Sequence, residues 1–247
     1  MSRGYQTDFY THSHRVRDPC SRQQKARKIV EALERYAPWP LSEATCLDIG
    51  CSSGLITSTV ASLFKRTIGV DYDQVALRAT SATARSRVAF VRSDALRLPV
   101  GAQSIDVIIC AQVYEHVPDA RGLFGEIDRV LRPGGFVFFS GPNWLFPVEP
   151  HYFLPFLHWL PGRLADAYLR LTRRGDHYYE QLYPLWKLRE LARQFTVQDI
   201  TIQVFRQYHL PDNWTLRWIA GSIPDAAWKL LLPFAPNFNW LLYKPQG

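Results

Sequence analysis

The chain has 247 residues, 47% of them apolar and 21% charged, the composition of a soluble globular protein with room for a sizeable core. No run approaches the ~20 apolar residues that a spanning helix needs, and Met1–Cys20 is polar, with His12, His14, Arg15 and Arg17 where a secretory leader would be apolar. The net charge of +7 is uneven: residues 1–40 carry +4, residues 41–140 balance, and residues 141–247 carry +3, so any anionic partner is expected to meet the flanks.

In chain order, Ser21–Ala37 reads as a helix, because Ala26, Ile29, Val30, Leu33 and Ala37 recur at helical spacing and Pro38 and Pro40 stop it. From Thr45 short apolar runs alternate with helical ones. Strands are expected at Thr45–Gly50, Thr67–Asp71, Val88–Arg92 and Ile105–Cys110, with helices at Leu55–Phe64, Gln74–Ala84 and Arg121–Leu131. Pro133-Gly134-Gly135 is expected to break the chain before a fifth strand, Phe136–Ser140. Such alternation implies βαβ units and an α/β fold whose mostly parallel sheet is covered on both faces.

After Ser140 the texture changes. Seven of the eight Trp and 21 of the 34 aromatic residues follow it, so this half is expected to form an aromatic cluster or a pocket. Leu185–Phe195 reads as a helix, Val197–Val204 and Phe238–Tyr243 as strands, and Leu210–Pro236 as a helical insertion. The resulting division is a basic N-terminal arm and helix, 1–40, and a domain over 41–247 with cap insertions at about 142–185 and 205–236. Cys20, Cys46, Cys51 and Cys110 include no C-x-x-C pair, so reduced cysteines and a cytoplasmic location are expected.

The strongest local signal is Leu47-Asp48-Ile49-Gly50-Cys51-Ser52-Ser53-Gly54. A buried strand ends in an acid, and a glycine-bearing turn opens a helix whose free N–H groups suit an anion. Asp71 ends the second strand, where a carboxylate can accept from both hydroxyls of a ribose. Asp94 ends the third, where it can accept from an exocyclic amine. The fourth strand runs into Cys110-Ala111-Gln112, where a reacting centre would sit.

These segments, with Asp94-Ala95 before Leu98-Pro99, Glu115-His116-Val117 and Leu131-Arg132-Pro133-Gly134-Gly135, resemble the class I S-adenosylmethionine-dependent methyltransferases over about residues 45–141. The resemblance implies a Rossmann-like sheet of seven strands with helices on both faces, one strand antiparallel near its edge, and a helical, aromatic-rich cap. It implies S-adenosyl-L-methionine as cofactor, with Asp48, Gly50, Ser52 and Gly54 around its methionine moiety, Asp71 on the ribose, Tyr72 and Ala95 along the adenine, Asp94 at the adenine amine, and Cys110 and Gln112 nearby. Ser52 stands where the family most often has glycine, and a modest change at the turn is expected.

Substrate choice is expected in the second half, since the fifth strand's carboxyl end faces the ligand crevice. Asn143, Trp144 and Tyr152 are the candidate acceptor contacts, and Glu149 with His151 the candidate general base. Glu115-His116 reads first as a loop-shaping pair that caps the next helix, with His116 a weaker acid–base candidate. Asp106 and Arg132 read as surface or structural charges. His12 and His14 lack the carboxylate or thiolate company of a metal site, and no metal is expected. Phe153, Phe156, Leu157, Trp159 and Leu160 read as core, although interleaved Arg163, Arg170, Arg173 and Arg174 would suit peripheral contact with an anionic membrane at its inner face. The expected acceptor is a small or lipid-linked molecule, methylated on oxygen or nitrogen. A nucleic-acid acceptor fits less well, for want of a binding module or an Asp/Asn-Pro-Pro-aromatic motif. The non-enzymatic alternatives are a domain that binds the cofactor without transfer and a nicotinamide-binding module; Gly50 to Gly54 is not the G-x-G-x-x-G of the latter.

Overall fold

A computed structural model describes residues 9–12, 17–208, 224, 227–228, 230 and 232–246. The expected helical insertion over Leu210–Pro236 lies largely outside the described residues, as do His14 and the side chain of His12. Seven strands form one sheet: β1 Thr45–Ile49, β2 Arg66–Asp71, β3 Ala89–Arg92, β4 Ile105–Ala111, β5 Leu131–Pro142, β6 Thr196–Asp199 and β7 Asn237–Tyr243. Their order is β3-β2-β1-β4-β5-β7-β6, with β7 antiparallel to both of its neighbours and the other pairings parallel.

Period-two alternation divides the core between the two faces. From β1, Leu47 and Ile49 join one cluster with Leu123, Phe124 and Ile127 of α6 (Ala120–Val130), whereas Cys46 joins Ile29, Leu33 and Val60 on the other face. Helices are needed on both sides because each face carries its own apolar set. The N-terminal helix α2 (Pro19–Tyr36), which follows the single turn α1 (Phe9–His12), covers the second face. It starts where the Asp18 carboxylate accepts from Cys20 N and Ser21 N, with Pro19 at the first helical position.

Three expectations need correction. The helix expected over Gln74–Ala84 is two, α4 (Gln74–Arg78) and α5 (Ala82–Arg85), because the Ser81 hydroxyl accepts from Ala84 N and starts a new turn. Pro133-Gly134-Gly135 lies inside β5: Leu131 pairs with Ile105 and Phe136 with Val107, so Arg132–Gly135 bulge opposite Asp106. The strand expected over Val197–Val204 ends at Asp199, whose carboxylate accepts from Thr201 N and opens a helix, Thr201–Tyr208 (α9). That stretch satisfies both periods; burial of Ile200, Thr201 and Val204 against the second face selects the helix. Asp106 is structural as expected, accepting from Thr45 N at 2.6 Å and pairing with Arg132.

The remaining helices are α3 (Leu55–Val60), α7 (Gly162–Leu171) and α8 (Leu185–Leu191). The segment after β5 builds a small core of its own from Leu154, Leu157, Ala165 and Leu169. Among the described residues, no helix is long and apolar enough to cross a membrane.

Candidate active site

The strand order reverses at β1 and β4, and a parallel sheet opens a crevice at the carboxyl ends of its strands beside such a switch point. Here the crevice is a cleft of about 640 Å³, within the range of small-molecule sites. The ends of the first four strands supply one side of it, through Ile49, Gly50 and Ser52 after β1, Asp71 and Tyr72 after β2, Ser93, Asp94 and Ala95 after β3, and Ala111 and Gln112 after β4.

The turn after β1 is held open by its backbone. Gly50, Ser52 and Gly54 all have left-handed φ, between +52° and +78°, and a Cβ on Gly50 would meet Val113 Cγ2 at 2.7 Å. Glycine is therefore required at 50 on two counts, conformation and space. Ser52 accepts the left-handed conformation despite its Cβ, because its N–H donates to Asp71 Oδ2 at 2.7 Å. The other Asp71 oxygen accepts from Asp73 N at 2.8 Å. Burial pushes the Asp71 carboxyl up, and these backbone donors pull against it. Asp94 lies on the cleft wall with Oδ1 accepting from Leu96 N, and the Arg92 guanidinium covers the Tyr72 ring, 5.6 Å from its centre.

Three residues assigned to the cofactor lie behind the wall instead. Asp48 is buried, its Oδ2 accepting from the Thr57 hydroxyl at 2.5 Å. Burial and the nearby Asp71 raise it to about 7, against the Thr57 bond and the charge of Arg22. Gly54 is the N-terminal cap of α3 and packs on Phe90. Cys110 is wholly buried in the sheet, and burial raises its thiol far out of the reactive range. The alternation of β4 turns Cys110 into the core while Ala111 and Gln112 reach the cleft.

The other end of the cleft is walled by Pro150, His151, Tyr152, Arg174, Gly175, Asp176, His177, Tyr179 and Glu180. Glu149 does not touch the cleft; it is buried and organises the loop, its Oε2 accepting from His151 N and Tyr152 N and its Oε1 bonding His151 Nδ1, all at 2.7 Å. Burial opposes charge on His151, but that bond and the carboxylates of Glu180, Glu149 and Glu115 outweigh it and raise the imidazole to about 9. In this arrangement His151 holds its proton at neutral pH, unlike the free base expected. Asn143 and Trp144 are not at the cleft. Asn143 is buried, its amide donating to Pro233 O and Ala235 O, and Trp144 packs on Trp159 and His158. Both serve to fix the exit of β5.

Glu115-His116 also departs from expectation. Asp119, not Glu115, is the cap residue of α6. Glu115 is wholly buried, neither of its oxygens has a hydrogen-bond partner among the described residues, and burial raises its carboxyl to about 7. His116 lines the cleft edge-on to His151, with ring centres 4.9 Å apart, and burial lowers it well below the usual histidine range. The N-terminal arm contributes residues that no sequence signal marked: Phe9, Tyr10, Arg22 and Lys25 all line the cleft. Tyr10 N donates to Asp73 Oδ2 at 2.8 Å, which ties the arm to the strand ends.

Residues 47–139 match the methyltransferase domain family. An uncharacterized methyltransferase from Mycobacterium marinum is 36% identical over 73% of this chain and 70% of its own length. One from Mycobacterium leprae is 31% identical over 72% of this chain; the matched region spans 65% of that relative's length. The chain belongs to the class I S-adenosylmethionine-dependent methyltransferases. Solved folds of this kind include the YcgJ protein from Bacillus subtilis, with a TM-score of 0.54 and 18% identity over 91% of this chain and 100% of that one. Phosphoethanolamine N-methyltransferase 1 from Haemonchus contortus gives 0.62 and 12% over 98% and 46%; it was solved with phosphoethanolamine and S-adenosylhomocysteine. At such identities the likeness is one of fold.

Proposed function

We propose that the protein transfers a methyl group from S-adenosylmethionine to a small or lipid-linked acceptor, on oxygen or nitrogen. The observation that carries the reading is a continuous cleft that joins the strand-end loops to a second polar wall from residues 150–180. The residues at the strand ends fit the cofactor: Gly50 leaves a cradle that a Cβ would fill, and Asp71 presents a carboxylate already fixed by two backbone donors. Gly50 and Ser52 would hold the methionine end, Asp71 the ribose, and Tyr72, Asp94 and Ala95 the adenine. When bound, the cofactor supplies a methyl group on a positively charged sulfur with a good leaving thioether. The chain's own work is then to orient the acceptor and exclude water. Tyr152, His151 and Glu180 face the acceptor side, and Glu149 sets the position of His151.

A lipid-linked acceptor is favoured by the cap. Phe153, Phe156 and Trp159, read from sequence as core, stand half exposed, and Arg163, Arg170, Arg173 and Arg174 on the same segment are exposed. Phe153 and Phe156 have left-handed φ of 53° and 59°, a conformation that bulky side chains rarely adopt. Aromatic and basic groups together suit an anionic lipid surface.

Calorimetric titration with S-adenosylmethionine and with a nicotinamide dinucleotide tests the cofactor. Incubation of cell extract with methyl-labelled cofactor, followed by solvent partition, tests the acceptor. Cofactor binding and label in the lipid-soluble or small-molecule fraction are expected, together with sedimentation on anionic vesicles that salt reverses. Label in nucleic acid, or binding of the nicotinamide dinucleotide alone, would overturn the reading.

A further inference from the structure

The Glu115 carboxylate is a buried acceptor beside two histidines of the cleft. A buried acceptor without a donor costs roughly 1–3 kcal/mol, more when charged. Glu115 lies at 0% exposure, and neither oxygen has a hydrogen-bond partner among the described residues. Two imidazole nitrogens face it, each beyond hydrogen-bonding range: His116 Nε2 and His151 Nε2 both lie 3.9 Å from Glu115 Oε1. The three ligand atoms fall within 4.8 Å of one another.

We infer that Glu115, His116 and His151 form a binding site for one divalent transition-metal ion, with zinc the best match. Two imidazoles and one carboxylate are a donor set that suits zinc with a further position left open. That position faces the cleft, since both histidines line it. Zinc bonds of ~2.0–2.2 Å at tetrahedral angles set donors roughly 3.3 Å apart, so the three side chains need to draw together by well under one side-chain length. His151 is already held as a ligand would be: its Nδ1 bonds Glu149 Oε1 at 2.7 Å. A carboxylate can only accept, so Nδ1 keeps its hydrogen, and Nε2, turned to the ion, releases the proton it holds in the metal-free site as the metal binds. Glu149 is fixed in turn by two backbone donors. Glu180, also buried, adds a third carboxylate to the surroundings, and Lys25 on the cleft wall acts on Glu115 more weakly than His151 does. The site depends on this geometry and not on methyl transfer.

The test uses untagged full-length protein stripped by a chelator. Cobalt(II), a spectroscopic stand-in for zinc, is titrated in and followed by its visible absorption, and bound zinc is counted by elemental analysis. One ion per chain is expected, with a raised thermal midpoint. Glu115→Gln and His151→Asn should abolish the absorption, Glu149→Gln should weaken affinity roughly 10- to 100-fold, and His177→Asn, a cleft histidine outside the cluster, should leave it intact. Thermal unfolding of each metal-free variant establishes that it is folded. No bound ion in the wild type, or an unchanged spectrum in folded Glu115→Gln and His151→Asn, would overturn the inference. Titration of the same metal-free protein with S-adenosylmethionine reports separately on the methyltransferase reading.

Discussion

The two ends of the cleft are built on different principles. At the strand ends, ligand-facing groups are fixed by backbone: Asp71 accepts from Ser52 N and Asp73 N, and Gly50 leaves its space empty by having no side chain. At the far end, buried side chains hold one another: Glu149 fixes His151, and Glu115 lies between two imidazoles. Backbone geometry tolerates drift in the surrounding sequence, whereas a buried polar cluster fails when one member is lost. In the proposed function the first end would hold the constant ligand and the second the acceptor.

The largest effect separating the two ends is expected from Glu149→Gln. The amide replaces one of the two oxygens by an NH2, so either the two backbone N–H groups on Oε2 or His151 Nδ1 on Oε1 loses its acceptor, and displacement of a positioning group by about 1 Å costs on the order of 100-fold in rate. Methyl transfer should fall by about that factor while cofactor affinity, measured by calorimetry, stays near wild type. Equal losses in both would show that the division between the ends is false. The converse variant is Asp71→Ala. Hydrogen bonds to a charged acceptor contribute roughly 1.5–3 kcal/mol, so cofactor affinity should fall about 10- to 100-fold. An unchanged dissociation constant in the folded variant removes Asp71 from the ribose.

A smaller effect concerns Asp48, which supports the first end from behind. Its carboxyl titrates at about 7 in the fold against 3.8 for the free side chain. The folded state keeps this proton longer than the unfolded chain, so the contribution to stability is complete below about pH 4 and is lost as pH rises through about 7. Asp48→Asn cannot titrate, and its stability difference from wild type should therefore move in the variant's favour between pH 4 and pH 7. Denaturant unfolding at those two pH values measures it; parallel curves would place the titration elsewhere. The smallest effect is expected from Ser52→Gly. Relief of the left-handed strain, roughly 1–2 kcal/mol, is offset by the greater freedom that glycine loses on folding, ~0.5–1 kcal/mol. Cofactor binding should be retained with at most a slight gain in thermal midpoint, and a large loss would mean that the Ser52 hydroxyl itself touches the ligand.

The sequence by itself determined the sheet, its single antiparallel strand by family resemblance, and the strand-end residues Gly50, Ser52, Asp71, Tyr72, Asp94 and Ala95 of the cleft. Those features depend on short-range order: a strand that ends in an acid projects it at the sheet's edge wherever the strand lies. The tertiary structure decided what needs distant chain to meet. Asn143 and Trp144 carry suitable side chains, but packing against Pro233, Ala235 and Trp159 turns them from the cleft. Phe9, Tyr10, Arg22 and Lys25 enter it only because the N-terminal segment folds back over the strand ends. Glu115 and His151 are 36 positions apart, and their juxtaposition depends on how the loop after β5 returns to the loop after β4. Local periodicity carries no term for that return, because its geometry is set by the burial of the cap's own small core, Leu154, Leu157, Ala165 and Leu169.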